Sequence, residues 1–321
     1  MPERFRDFAP AVPTIGLALL GLIYHENTSV TKHSSQLVFL DTLTADGPGA
    51  LIMCSIGFMC AKLVDARRPL VMLGLGSVAL GGLLHVAWQG IGTSTCNILA
   101  PLGLVTAMLA ILAIRSNAEI IAMLSILTSV AALLFTLGIP LTVFSEYPLL
   151  ANFCYGLLGM SMERATHHAR SRLIFIFCFS VIVAISGLFT VWPTIYEPSS
   201  TTYLGAPQRF ISPSPHSGGL LNLFGNYGFL CYALVISYFV SNHAKARALF
   251  TPLYDLGSVA LTVYLLNCAL LMAFPARLHD AQVVGIECAT IVAVACAYRR
   301  FYRVGPIEHV LLRIVGIEKG R

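Results

Sequence analysis

A small set of polar residues, set at the ends of otherwise apolar runs, could do chemistry together. His25 and Glu26 close the first run, and His33 follows eight residues after His25. Asp46 opens the next run as Asp-Gly-Pro-Gly, His85 sits near the end of the third, and Asn97 begins the fourth. His216 precedes a later run, with Asn222 and Asn226 in its first turns. An imidazole with an ordinary pKa near 6.5 exchanges protons at neutral pH. A neighbouring carboxylate fixes its tautomer and supports general-base work. His33 with Asp46 is the economical catalytic pair, and His25, His85, Asn97 and His216 would line the substrate side. Two plainer roles compete: Asp46 also fits a helix N-cap with Pro48 just inside, and His85 fits a hydrogen-bonded interfacial residue. No spacing suits a metal.

A second set is basic. Lys62, Arg67 and Arg68 follow one apolar run, Arg164, Arg170 and Arg172 another, and Arg299, Arg300 and Arg303 a third. Attraction to anionic lipid and membrane orientation account for such residues. A sharper reading makes Lys62, Arg67, Arg68, Arg164 and Arg303 a cradle for a phosphorylated cofactor, since the forked donors of arginine suit phosphate. Nucleic-acid binding does not follow from the net charge of +5, because the basic residues are dispersed among short connections. The nine cysteines lie in or beside apolar runs without a CxxC pair, so they read as small packing residues.

The elements that must position these groups are membrane helices. Of 321 residues, 57% are hydrophobic and 11% charged, with mean hydropathy +0.79. Soluble domains carry roughly 25% charged residues, and only a bilayer relaxes that demand. Apolar segments occur at 9–25, 47–64, 69–88, 97–114, 118–140, 148–162, 172–192, 219–240, 255–274 and 281–298. The first reads as a retained helix rather than a signal peptide, because no A-x-A-like site follows it. With an inside N-terminus, seventeen of the 20 Lys and Arg residues fall inside; only Lys32, Arg209 and Arg277 fall outside. Dropping one span would reverse every later connection and destroy that asymmetry. The expected fold is therefore all-α: a polytopic transmembrane bundle of about ten spans with both termini inside, residues 1–321 forming one integral domain. GPIEHVLLRIVG predicts a short amphipathic helix at about 305–317 on the inner surface. Glu287 is the one acid well inside an apolar segment.

Several segments, in order, carry a resemblance. PHSGGLLNLFGNYGFLCYAL, PLYDLGSVALTVYLLNCALL and YRRFYRVGPIEHVLLRIVG in the C-terminal half, with DGPGALIMCSIGFMCAKL and RRPLVMLGLGSVALGGLLHVAWQGIGTSTCNILAPLGL before them, resemble the YeiB-like and heparan-α-glucosaminide N-acetyltransferase-like proteins of the transmembrane acyltransferase (acyltransferase-3) superfamily. The chain departs from that pattern where a Leu-Asp-x-x-Arg-Gly opening is replaced by RDFAPAVPTIGLALLG, and where Asn97 stands in place of an Asp. The resemblance implies transfer of an acetyl group from cytoplasmic acetyl-CoA to an amino sugar on the far side, and places His33 at the histidine of the first outside loop.

The expected function is thus a membrane acyltransferase of a bacterial inner membrane. An acyl-CoA would bind from the basic face, and an extracytoplasmic glycan or lipid-linked sugar would accept the acyl group. His33, supported by Asp46, would act as base or relay the acyl group itself. The rival readings are a transporter or lipid-handling protein without covalent chemistry, and a non-catalytic partner in envelope assembly.

Overall fold

A computed structural model describes residues 11–28, 47–89, 98–137, 139, 149–165, 220–273, 281–302 and 304–314. Every element among them is helical. They are α1 (Ala11–Thr28), α2 (Gly47–Lys62), α3 (Arg67–Gln89), α4 (Leu99–Leu112), α5 (Asn117–Thr136) and α6 (Leu149–Ala165). After these come α7 (Leu220–Asn242), α8 (Ala244–Leu249), α9 (Thr251–Gly257), α10 (Ala260–Ala273), α11 (Ala281–Phe301) and α12 (Pro306–Ile314). The expected segment 172–192 lies outside the described residues.

Three helical stretches are long and apolar enough to cross a membrane: Val64–Val86, Asn117–Thr136 and Leu220–Asn242. A fourth is reached if α9 and α10, bent by 73°, count as one broken span. Their surfaces suit hydrocarbon. Leu83 is 71% exposed, and Met72, Val86, Ile126, Leu133 and Phe239 are also largely uncovered. Exposed hydroxyls bond within their own helix: Ser125 to the Ile121 carbonyl and Ser129 to that of Ser125 on α5, and Thr290 to that of Ile286 on α11. That arrangement satisfies these three donors without water.

Lipid tails give apolar helices little reason to associate, so close approach of backbones through small residues must hold them. Three crossings do this. A Cβ on Gly57 of α2 would lie 1.9 Å from the Gly156 carbonyl oxygen, and one on Gly159 would lie 1.9 Å from that of Cys54. Gly74 and Gly103 join α3 to α4 in the same way, and Gly16 and Gly257 join α1 to α9. The best-buried layer consists of α2 and α6, whose residues Ala151–Met160 are all buried.

Local signals set the ends. Ser116 and Glu119 form a reciprocal capping box that starts α5, with Ser116 N–H donating to the Glu119 carboxylate at 2.7 Å. Arg164 ends α4 from another helix, donating to the carbonyls of Arg115 at 2.6 Å and Ala113 at 2.8 Å. At the bend between α9 and α10, Thr262 N–H donates to Glu308 Oε1 at 3.0 Å, and the Thr262 hydroxyl donates to Oε2. The expected amphipathic helix is present as α12, and through Glu308 it is docked onto the start of α10.

Candidate functional site at the buried start of α2

Contacts between helices set their directions. Gly21 meets Pro48 and Thr14 bonds Ser55 at 2.8 Å, so α1 and α2 run antiparallel. Gly74 with Ala107, and Gly81 with Ala100, make α3 and α4 antiparallel. Gly156 against Leu109, and Arg164 against Ala113 and Arg115, make α4 and α6 parallel. With α2 leading into α3 through the short turn at Val64–Ala66, α2, α4 and α6 start at one end of the bundle.

The other end is basic. Lys62 closes α2 with its Nζ 5.9 Å from the Phe58 ring, and Arg67 and Arg68 follow, both exposed. Arg115 and Arg164 lie beside each other there. Arg299 Nε is 3.6 Å from Asp255, and Arg247 lies over the Tyr254 ring at 5.6 Å. The terminal nitrogens of Arg164 are engaged by the end of α4, so in this arrangement Arg164 serves the fold. Arg303 lies outside the described residues.

At the opposite end the bundle encloses polar groups. Gly47, Pro48, Gly49 and Ala50, the first turn of α2, are all buried. Pro48 packs on Gly21 of α1, and Gly47 sits against the Phe229 ring of α7, where a Cβ would meet it at 3.3 Å. One turn before Phe229, Asn226 Nδ2 donates to the Tyr155 hydroxyl on α6 at 2.9 Å. Tyr155 stands edge-on to Tyr227, with ring centres 5.9 Å apart. The Tyr227 hydroxyl shares a 2.7 Å hydrogen bond with Thr128 of α5, deep in the core. Asn152, on the first turn of α6, is 2% exposed. The Asn226 amide and the three hydroxyls are bonded in pairs, which leaves the Asn152 Nδ2, without a hydrogen-bond partner, as the donor open to a ligand's oxygen.

The residues expected from the sequence fall around this place unevenly. His33, Asp46, Asn97 and His216 lie outside the described residues. His25 and Glu26 belong to the last turn of α1. His85, half-buried, lies toward the same end because α3 is antiparallel to α4, the helix on which α3 chiefly packs. Asn226, noted in the sequence, is in the cluster. Asn152, Tyr155, Tyr227, Thr128 and Phe229 were not foreseen. An Asn inside the apolar run PLLANFCYGLLGMSM is a signal that points to the first of them, since a polar residue at membrane depth is costly.

No curated protein matches the chain. Residues 158–317, just under half of its length, match the model of a family described as Protein of unknown function (DUF418), the YeiB-like family.

Proposed function

We propose that this protein is an integral membrane acyltransferase, moving an acyl group, most simply acetyl, from acyl-CoA at its basic end to a glycan or lipid-linked sugar at the other. The observation that carries the reading is the division of the molecule into two ends. Guanidinium and ammonium groups stand at one, and an enclosed set of amides and hydroxyls at the other. From Asn152 to Arg164 is about 18 Å along α6 at 1.5 Å per residue, so both ends fit within one bilayer of about 30 Å. In this reading the bundle has about ten spans with the basic end toward the cytoplasm. Lys62, Arg67, Arg68 and Arg303 attract the phosphates of the donor, and His33 with Asp46 takes the acceptor's proton. His25, His85, Asn97 and His216 serve the acceptor side. The similarity of the C-terminal half to the YeiB-like family supports the superfamily assignment, and the ordered motifs across both halves supply the chemistry.

A transporter reading is favoured by one feature, the break between α9 and α10, because discontinuous helices build transport sites. The start of α10 is already occupied by the Glu308 carboxylate, which weakens that reading. Purified full-length protein given acetyl-labelled CoA with glucosamine as acceptor tests the choice. Thioester loss with label in the sugar, abolished in His33→Ala at unchanged protein level, is the expected result. Full activity in His33→Ala removes the proposed base. Absence of thioester loss, with solute uptake that depends on Glu287, favours transport, and a stable co-purifying protein without CoA favours an assembly role.

A further inference from the structure

The first four N–H groups of any helix lack partners within it, and Pro48 in α2 brings none. Because Gly47 to Ala50 are buried, the remaining donors are withdrawn from bulk water. Asn152 adds another: its side chain is 98% buried, and its Nδ2 has no hydrogen-bond partner. Seven residues make nearly two whole turns of a helix, so Asn152 shares a stripe of α6 with Gly159. Gly159 faces α2, its Cβ direction pointing at the Cys54 carbonyl. Stepping back along the parallel pair takes Gly159 and Cys54 to Asn152 and Gly47, and takes Gly156 and Gly57 to Asn152 and Met53, so the two contacts bracket Asn152 between residues 47 and 53 of α2. The amide therefore lies on the α2-facing side, beside the first two turns of α2, which are largely buried.

An unsatisfied buried donor costs about 1–3 kcal/mol. A helix start inside a membrane bundle is a place where anionic substrate groups are held. We propose that Asn152 Nδ2 and the first amides of α2 together receive the acyl carbonyl oxygen and hold the negative charge that develops on it. This rests on the acyl-transfer reading. The acceptor's oxygen or nitrogen forms a bond to the thioester carbonyl carbon, and the carbonyl electron pair moves onto the oxygen between these donors. The acceptor's proton passes to the general base of that reading. As the pair returns, the carbon–sulfur bond breaks, and the thiolate leaves as CoA, taking up the proton. Fixed donors aimed at a developing oxyanion act in the transition state more than in the ground state.

The test is thiol release from acetyl-CoA with glucosamine, using the full chain in detergent, for wild type, Asn152→Ala and Asn152→Leu. The leucine variant fills the space while removing the donor, so it keeps the fold when alanine does not. The expected result is a kcat about 10²-fold lower, the usual loss of one oxyanion donor, with the KM for acetyl-CoA unchanged and helical content and melting temperature retained. A folded Asn152→Leu with wild-type kcat overturns the inference, as does a rise in KM alone. A wild-type protein that releases no thiol sinks the acyl-transfer reading and this inference with it, a result distinct from an active wild type with an equally active variant.

Discussion

Tyr227 shows how much one hydroxyl does inside this bundle. It joins α7 to Thr128 of α5 at 2.7 Å, while Thr128 also donates to the Leu124 carbonyl of its own helix. Interhelical hydrogen bonds in membranes average about 0.6 kcal/mol and reach about 1.7, because alternative partners exist when helices separate. Tyr227→Phe is therefore expected to lower stability by roughly 0.6–1.7 kcal/mol. Thr128→Val added to it should cost less than it does alone, since the shared bond is then already gone. A double-mutant cycle by reversible denaturation in detergent checks this; strict additivity would mean the pair does not couple. Asn226 and Tyr155 call for a different readout. Tyr155→Phe strands the Asn226 amide beside the candidate site, so thiol release, and not only stability, should fall.

Glycines decide which elements can meet. At Gly57, Gly156 and Gly159 the backbones of α2 and α6 approach so closely that any side chain collides with main-chain or core atoms. Gly57→Ala is expected to destabilise by at least the 1–3 kcal/mol usual for overpacking. Gly76→Ala on α3 has nothing within 4 Å of the added carbon and should be neutral or stabilise by up to roughly 1 kcal/mol through helix propensity. Opposite signs for the two, measured by thermal unfolding in one detergent, would establish that the α2–α6 crossing is set by atomic contact. The closing Gly-Pro-Ile-Glu stretch has an equally local explanation. A Cβ on Gly305 would fall 2.5 Å from the Thr262 hydroxyl and 2.1 Å from Glu308, so only glycine leaves room for the carboxylate to cap α10. Glu308→Ala should free α12, seen as faster limited proteolysis after α11, with Glu308→Gln intermediate because an amide oxygen still accepts. Equal proteolysis of all three would show that the cap does not hold the helix.

On the scale of the whole molecule, helix positions were legible in the sequence because hydrophobic runs and membrane thickness share one length scale. Every expected segment within the described residues holds a helix, and Ser116, Pro306 and the basic clusters mark ends where the structure has them. The span count was less legible: α2 and α4 are short apolar helices packed among others, and α9–α10 is broken, so length alone identifies three or four crossings. The site was legible only in part. Asn226 points to the right place, since it stands in an apolar run near the start of α7 and donates to Tyr155. Asn152 stands out as a polar residue in an apolar run, but its place beside α2 follows only from how Gly57, Gly156 and Gly159 set α2 on α6, and Tyr155 owes its role to Asn226 on another helix. The partners of Arg164 were hidden for a comparable reason: its contacts with the Ala113 and Arg115 carbonyls are set by tertiary packing.

The central claim is that the basic end and the polar end face opposite sides of a membrane, with the basic end cytosolic. Ser35→Cys, in the connection before Asp46, and Ala244→Cys, exposed beside Lys245, can be probed in intact cells with a membrane-impermeant thiol reagent, before and after permeabilisation, against the unsubstituted chain as background. The account predicts that position 35 reacts in intact cells and position 244 only after permeabilisation. Labelling of both from the same side, or of position 244 alone from outside, would contradict it.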